Sequence, residues 1–520
     1  MLQHLTSPES VNHAWQQITL LFQQHSEWLF VDDRASYSIR RDELDIAIAQ
    51  DRLLFSCWTE QGTRSWRILA WNWSGQSLEL ETSRRMGAEL SRIELIPRTT
   101  AKAVAATIKT ARQQRCVQLA QLAASLHPGT GIERWSLSRG TRAGQPGRYA
   151  QILLQRRRER IAVTGPVVAS QPSAVDAFLS SALLWFRRTS DRSKPPPVTQ
   201  LWLIVSAELL RPMLYRIALL RNGLREIVRV FAVTDELNEL REATCPDKEE
   251  LWKKKLARFP PVAVASPTEL SNAIIAEAPH AIDVVQSRYG ETLRYFGLPF
   301  ARIRSLLGRQ GVWFGVDRVH RRLLDASTSD DWHSLLSDLR THRSAAALDL
   351  HHAFYRSAPE AWLESILRRD ITQLDPGLII APLHAQFRTA RGAKLGIRPI
   401  DLLALRQDGR LVVIELKVSE DREHVLQGAD YWRRVEAHRR RGHIARARLF
   451  GKRTISDEAP LVYLVAPTLR VHPSFQILAQ YISHDIEIYR FDINENWRSG
   501  VHVMRRQRMN WPRITRKESR

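Results

Sequence analysis

The sequence predicts a mixed α/β chain of several domains, and three observations carry that prediction. Residues 398–431, RPIDLLALRQDGRLVVIELKVSEDREHVLQGADY, read as a hairpin feeding a helix, because two short apolar runs flank Gln407-Asp408-Gly409. Two stretches, roughly 148–233 and 402–492, share one order of elements: strand, strand, helix, loop, strand, helix, strand. Between residues 44 and 82, short apolar runs alternate with polar residues and are separated by Asp, Gly and Ser turns, the pattern of antiparallel strands.

Taken in order, residues 10–27 place Val11, Trp15, Ile18, Leu21 and Phe22 at helical spacing, with Ser7 and Ser10 as caps. The runs LDIAIA, RLLFSCW, SWRILAWNW and SLELET follow, so residues 1–98 form a β-rich module. Its Trp58, Trp66, Trp71 and Trp73 fit a strand core better than a base-stacking surface. A basic helix, Thr99 to Ala124, opens an α/β domain over 99–242. Because that domain repeats the element order of the last third, it is either a degenerate copy of it or a generic accessory domain. Its strand RIAVTGPV offers Thr164 and Pro166 near where the later stretch has Glu415 and Lys417, and neither can hold a metal. Residues 243–350 are expected to be a helical bridge, with KEELWKKKLARF and AIDVVQSRYGETLRYFG as amphipathic candidates. A second α/β domain over 351–500 and a basic tail over 501–520 complete the chain.

Lys and Arg number 77 against 55 Asp and Glu in 520 residues, a formal charge of +22, so a polyanion is the expected partner. No run of 18 uninterrupted apolar residues occurs, and His4, Glu9, His13 and His25 break any signal-peptide pattern. No membrane partner is therefore expected, and cytoplasm is the expected location. Nothing in the sequence names a protein partner. Cys57, Cys116 and Cys245 show no CxxC spacing, which argues against a zinc site or disulfide framework. Dinucleotide, Walker and nucleophile-elbow loops are missing, and Asp349, His351 and His352 read as ordinary helix surface.

The strand Leu411–Ile414 is continuously apolar, as a strand buried on both faces should be, yet it runs into Glu415-Leu416-Lys417. The two charged side chains, two residues apart, project from one face. A two-residue turn at Asp408-Gly409 puts Asp401 opposite Leu416, on the wrong face. A three-residue loop, Gln407 to Gly409 with Gly409 left-handed, puts Asp401 opposite Glu415. The second register is predicted. Two carboxylates held there repel unless a cation lies between them, and all-oxygen ligation suits Mg²⁺ or Mn²⁺. Upstream, a capping box of Ser357 with Glu360 starts a helix over 358–369, and Glu364 falls at the border of its apolar stripe. Downstream, Gln427 and Tyr431 lie four apart on one helix face.

At these residues the chain resembles the PD-(D/E)xK nuclease superfamily, whose pattern is an acid on one strand, then Glu or Asp, any residue, and Lys on the next. The resemblance covers roughly 350–495 and extends to Glu364, Gln386, Gln427 and Tyr431; its Pro stands at Pro399, with Ile400 intervening before Asp401. It implies a restriction-endonuclease-like mixed sheet flanked by helices and a metal-dependent phosphodiesterase. Asp401, Glu415 and the Leu416 carbonyl would hold Mg²⁺ or Mn²⁺, Glu364 a water of that ion or a second metal, and Lys417 would orient the attacking water. Nucleic acid is the implied partner, with DNA favoured over RNA. Arg433, Arg434, Arg439, Arg440, Arg441, Arg446, Arg448, Lys452 and Arg453 follow the site and are candidate phosphate contacts. The alternative is a non-catalytic nucleic-acid-binding or assembly protein that keeps the fold.

Overall fold

In the computed structural model, residues 2–32, 36–59, 62–84, 89–140, 146–192, 195–234, 238–253, 266–287, 290–306, 309–316, 321–380 and 401–511 are described. The chain divides into two units, Met1–Leu153 with Gly165–Val168, and Leu154–Thr164 with Ala169–Arg520. The architecture is mixed α/β, with several sheets. No helix among the described residues is long and apolar enough to cross a membrane.

In the first unit an eight-stranded antiparallel sheet occupies the first hundred residues. Leu44–Ala49, Arg52–Thr59, Gly62–Trp73, Leu78–Arg84 and Glu89–Pro97 pair neighbour to neighbour, and the hairpin Glu27–Val31 with Ser36–Arg40 adds to Glu89–Pro97. Helix Pro8–Gln24, capped by Ser7 in a reciprocal pair with Ser10, buries Val11, Ala14, Ile18 and Phe22 against that sheet. Trp66 and Trp71 are buried, and Trp66 stacks on Phe55 with ring centroids 5.6 Å apart. Trp73 packs partly buried against the same core, so these tryptophans are structural; the Trp58 side chain lies outside the described residues. Helix Ala101–Ser125 follows.

The second unit holds the repeat. Strand β1 (Glu159–Pro166), helix α1 (Val175–Arg192), β2 (Val198–Ser206), α2 (Ala207–Ile217), β3 (Val228–Val233) and β4 (Leu240–Ala243) form its first half. β1 and β2 are parallel, β2 and β3 parallel, β3 and β4 antiparallel. The residues expected to bridge as helices instead carry a five-stranded antiparallel sheet: β5 (Ile282–Ser287), β6 (Gly290–Tyr295), β7 (Leu298–Leu306), β8 (Arg309–Phe314) and β9 (Arg322–Leu323). The correction has a local cause. Gly290 and Gly297 adopt positive φ of 117° and 77° and break any helix through IDVVQSRYGETLRYFG, while Leu293, Tyr295, Phe300 and Ile303 bury at strand spacing against α3 (Ser329–His342). Of KEELWKKKLARF, only Lys248–Lys253 is a described helix.

Next come α4 (Pro359–Arg369), β10 (Leu378–Ile380), β11 (Leu402–Arg406), β12 (Leu411–Leu416), α5 (His424–Arg440), β13 (Leu461–Pro467), α6 (Phe475–Tyr481), β14 (Ile488–Ile493) and β15 (Val503–Arg508), whose strands make one sheet in that order. β12 and β13 are parallel, β13 and β14 parallel, β14 and β15 antiparallel, the sequence of pairings found from β1 to β4. Each half's second helix packs on the other half's first, α5 on α2 and α1 on α6. Behind those helices an antiparallel bridge joins Leu220 to Ile482, with Arg221 N donating to Tyr481 O and Ser483 N to Leu219 O, both at 2.9 Å.

Two further expectations change. The Ser357–Glu360 capping box does not form, because Pro359 takes the first helical position and Ala358, left-handed at φ 43°, becomes the cap. The expected tail from residue 501 begins as β15, and Asn510 is buried with its Nδ2 on the Ser483 and Ile486 carbonyls; residues 512–520 lie outside the described residues. Periodicity misses β15 because Arg505, Arg506 and Arg508 occupy an edge strand that needs little apolar surface.

Candidate active site

The hairpin sets the site. Leu402 pairs with Ile414, Leu403 with Val413, Ala404 with Val412 and Leu405 with Leu411, so continuation of the register puts Asp401 across from Glu415. The loop is the three-residue one: Arg406 N donates to Arg410 O at 2.8 Å, and Gly409 stands at φ 82°. A Cβ on Gly409 would come within 2.8 Å of the Thr454 carbonyl, so glycine is required twice over.

Alternation then sorts the side chains. Leu402, Ala404, Val412, Ile414 and Leu416 pack down on Trp362, Leu363 and Leu367 of α4. Leu403, Leu405, Leu411 and Val413 pack up against Tyr431 and Val435 of α5. Asp401, Glu415 and Lys417 share the odd positions and so belong to the α5 side. Helix α5 lies close because Gly428 faces β13, where a Cβ would meet Leu464 Cδ2 at 2.5 Å.

At the end of β12, Lys417 Nζ donates to Glu415 Oε1 at 2.6 Å and stands 3.8 Å from Asp421 Oδ2. The Leu416 N–H donates to Asp401 Oδ2 at 2.9 Å. Since the N–H and C=O of a strand residue point to the same edge, the Leu416 carbonyl faces the same side as Asp401. Burial pushes the Asp401 carboxyl up to about 6, against the Leu416 N–H and the Lys417 charge. Glu415, 1% exposed, is raised well above the ordinary carboxyl range by burial and then by Asp401. The two carboxyls are near enough to share a proton, and Glu415 Oε2 finds no donor. Burial opposes the Lys417 charge, but Glu415 outweighs it and the ammonium is held. His424, buried at the start of α5, sets Nε2 3.2 Å from the Glu415 carbonyl, and burial drives its pKa down to about 3, so it is neutral.

Glu364, on α4, sits between two arginines. It accepts from Arg368 Nε at 2.6 Å and lies 3.8 Å from Arg294, while Arg368 Nη2 donates to the Asp401 carbonyl at 3.0 Å. Arg368 thus links the helix that carries Glu364 to the Asp401 backbone. Among the described residues, no three His, Cys, Asp or Glu side chains converge as a metal-ligating group. Gln386 and Pro399 lie outside the described residues.

Gln427 and Tyr431 are both buried on α5, and Gln427 Nε2 donates to Glu423 Oε2 at 3.1 Å. The basic run separates into two groups. Arg433 and Arg434 pair with Asp430, and Arg439 and Arg440 with Glu436, while Arg441 donates to the Trp252 carbonyl. Arg446, Arg448, Lys452 and Arg453 are exposed and open to a polyanion.

Sequence reasoning missed Arg368, although its spacing four after Glu364 is the signal of a helical ion pair. It also missed Arg216, which reaches Asp430 at 3.2 Å from the other half of the repeat; no local signal marks that contact. Family models, curated proteins and solved structures give no match to the chain.

Proposed function

We propose that the sheet spanning residues 378–508 carries a metal-dependent nuclease of the PD-(D/E)xK kind, hydrolysing phosphodiester bonds of nucleic acid, with DNA the expected substrate. One observation carries the reading: Asp401 and Glu415 face each other across the β11–β12 register, and Lys417 Nζ lies on Glu415 at 2.6 Å. A donor-less Glu415 Oε2 beside a second, half-buried carboxyl is a site with unused acceptor capacity, which fits a hard dication. The +22 chain charge and the exposed Arg446, Arg448, Lys452 and Arg453 support a polyanionic substrate.

Asp401, Glu415 and the Leu416 carbonyl would hold Mg²⁺ or Mn²⁺. When bound, such an ion supplies Lewis acidity to the scissile phosphate and makes a neighbouring water more acidic. Lys417 orients that water and offsets phosphate charge. Neutral His424, on the Glu415 carbonyl, fixes the start of α5 over the strand end. Purified full chain is expected to cleave plasmid, linear or single-stranded DNA with Mg²⁺ or Mn²⁺ and not with EDTA. A second reading, a nucleic-acid-binding protein without turnover, draws on the engagement of Glu364 by Arg368 and Arg294. Binding without cleavage across DNA and RNA substrates in either metal would select it.

A pH prediction follows from the carboxyl pair. Unfolded Asp and Glu titrate near 4. Folded Asp401 titrates at about 6 and Glu415 is raised well above its ordinary range, so the folded state binds more protons and the pair's stabilising contribution is lost as pH rises through the folded range. Mg²⁺ requires the ionised pair. The Mg²⁺-induced gain in melting temperature should therefore be small near pH 5 and grow toward pH 8, read by thermal shift. A gain that is absent, or equal at both ends, counts against the metal site.

A further inference from the structure

A cavity of about 340 Å³ opens between α1 and α2 of the first half and α5 of the second, at the small end of the roughly 300–1,000 Å³ of ligand sites. Its walls include Tyr215, Arg216, Gln427, Tyr431, Arg433 and Arg434. Tyr431 also packs on the carboxylate side of the sheet, with Leu403 and Val413, so the cavity and the candidate active site share a wall.

Charge and shape at that wall select a class of ligand. Arg216 is held by Asp176 at 3.0 Å and Asp430 at 3.2 Å, and Arg433 by Asp430 at 2.6 Å. Asp176, Glu208 and Asp430 stand against Arg211, Arg216, Arg433 and Arg434 on these walls, so little net charge is left to attract a phosphate. Flat surfaces are abundant instead: the Arg433 guanidinium lies 4.7 Å from the Tyr215 ring centroid, and that of Arg434 lies 4.5 Å from Tyr431. Aromatic rings and guanidinium planes are the platforms on which unpaired bases stack. One polar atom also calls for a donor. Gln427 is 3% exposed, lines the cavity, and its Oε1 has no hydrogen-bond partner among the described residues. A buried acceptor left unmade is costly, and an N–H on a base edge would satisfy it.

We infer that this cavity receives one unpaired nucleobase of the substrate strand, splayed out beside the phosphate addressed by Asp401 and Glu415. The substrate is then single-stranded nucleic acid or an unpaired strand end rather than an intact duplex. The first half of the repeat, which has no carboxylate at the end of β1, supplies the base-holding wall. The identity of the ligand rests on the nuclease reading.

The test measures binding of the full chain, in EDTA so that nothing is cut, to a labelled short single strand and to a blunt hairpin duplex. Tyr215→Ala is expected to weaken single-strand binding between about fivefold and about a hundredfold. Duplex binding should change little, and Tyr215→Phe should retain the single-strand affinity. An abasic strand should lose affinity by a similar factor on the unaltered protein, an arm that does not depend on how the variant folds. Equal affinity for abasic and normal strands, or equal weakening of strand and duplex in Tyr215→Ala, overturns the inference. Cleavage with Mg²⁺ separates the two claims. A Tyr215-dependent preference for single strands without cleavage overturns the nuclease reading alone, and cleavage without that preference overturns the pocket alone.

Discussion

Lys417→Ala is expected to lower Mg²⁺-dependent cleavage by at least about a hundredfold to a thousandfold, the usual loss when one charge-stabilising donor leaves an active site. Nucleic-acid affinity should stay close to that of the unaltered protein, because exposed cations elsewhere supply it. The size of the effect comes from the coupling of Lys417 to Glu415 at 2.6 Å. Without the ammonium, burial and Asp401 alone act on Glu415, its proton is held more tightly, and the carboxylate needed for a dication is not formed. Asp401→Ala should have a comparable effect by removing half of the pair. Cleavage rates and binding isotherms on the same preparations decide the matter; unchanged cleavage in either variant removes the mechanism.

Arg343→Ala is expected to destabilise the second unit by about 3 kcal/mol or more, since each buried carbonyl left without a donor costs about 1–3 kcal/mol. Arg343 is 0% exposed. It donates to the carbonyls of Tyr295, Phe296, Phe354 and Ser357 at 2.7–2.8 Å, and its guanidinium lies 4.7 Å from the Trp362 ring centroid. Burial, and then the nearby Arg498, lower its pKa to about 9, yet four carbonyl dipoles fix it. Truncation leaves those carbonyls without a donor between the five-stranded sheet and α4, the helix under the carboxylate hairpin. A large fall in melting temperature, with only partial rescue by Arg343→Lys, is the expected measurement. An unchanged melt would mean that water replaces the side chain without penalty.

The hairpin and its register were legible because a buried strand tolerates one face assignment, and the loop glycine leaves one loop length compatible with it. The repeated element order was legible from alternating periods, and the pairings from β1 to β4 and from β12 to β15 agree with it. What escaped were elements whose signal is not apolar periodicity. β15 is an arginine-rich edge strand, and β6 buries Glu291 and Arg294 along with Leu293 and Tyr295, which hides its strand alternation. Of the partners of Glu364, Arg368 was readable from its spacing, whereas Arg294 comes from the five-stranded sheet and no local pattern links it to Glu364.

The order of manufacture follows from the helix layer between the two halves. Ser180 Oγ donates to the Arg422 carbonyl across 242 positions of chain, and the walls of the shared cavity, residues 172–216 and 427–434, are likewise far apart in the chain. On a ribosome the earlier wall emerges long before its counterpart, with a long loop to close before the two can meet. Any nascent chain ending before residue 427 lacks the second wall altogether, so both the cavity and the carboxylate hairpin reach their final setting only after residues 427–434 have emerged.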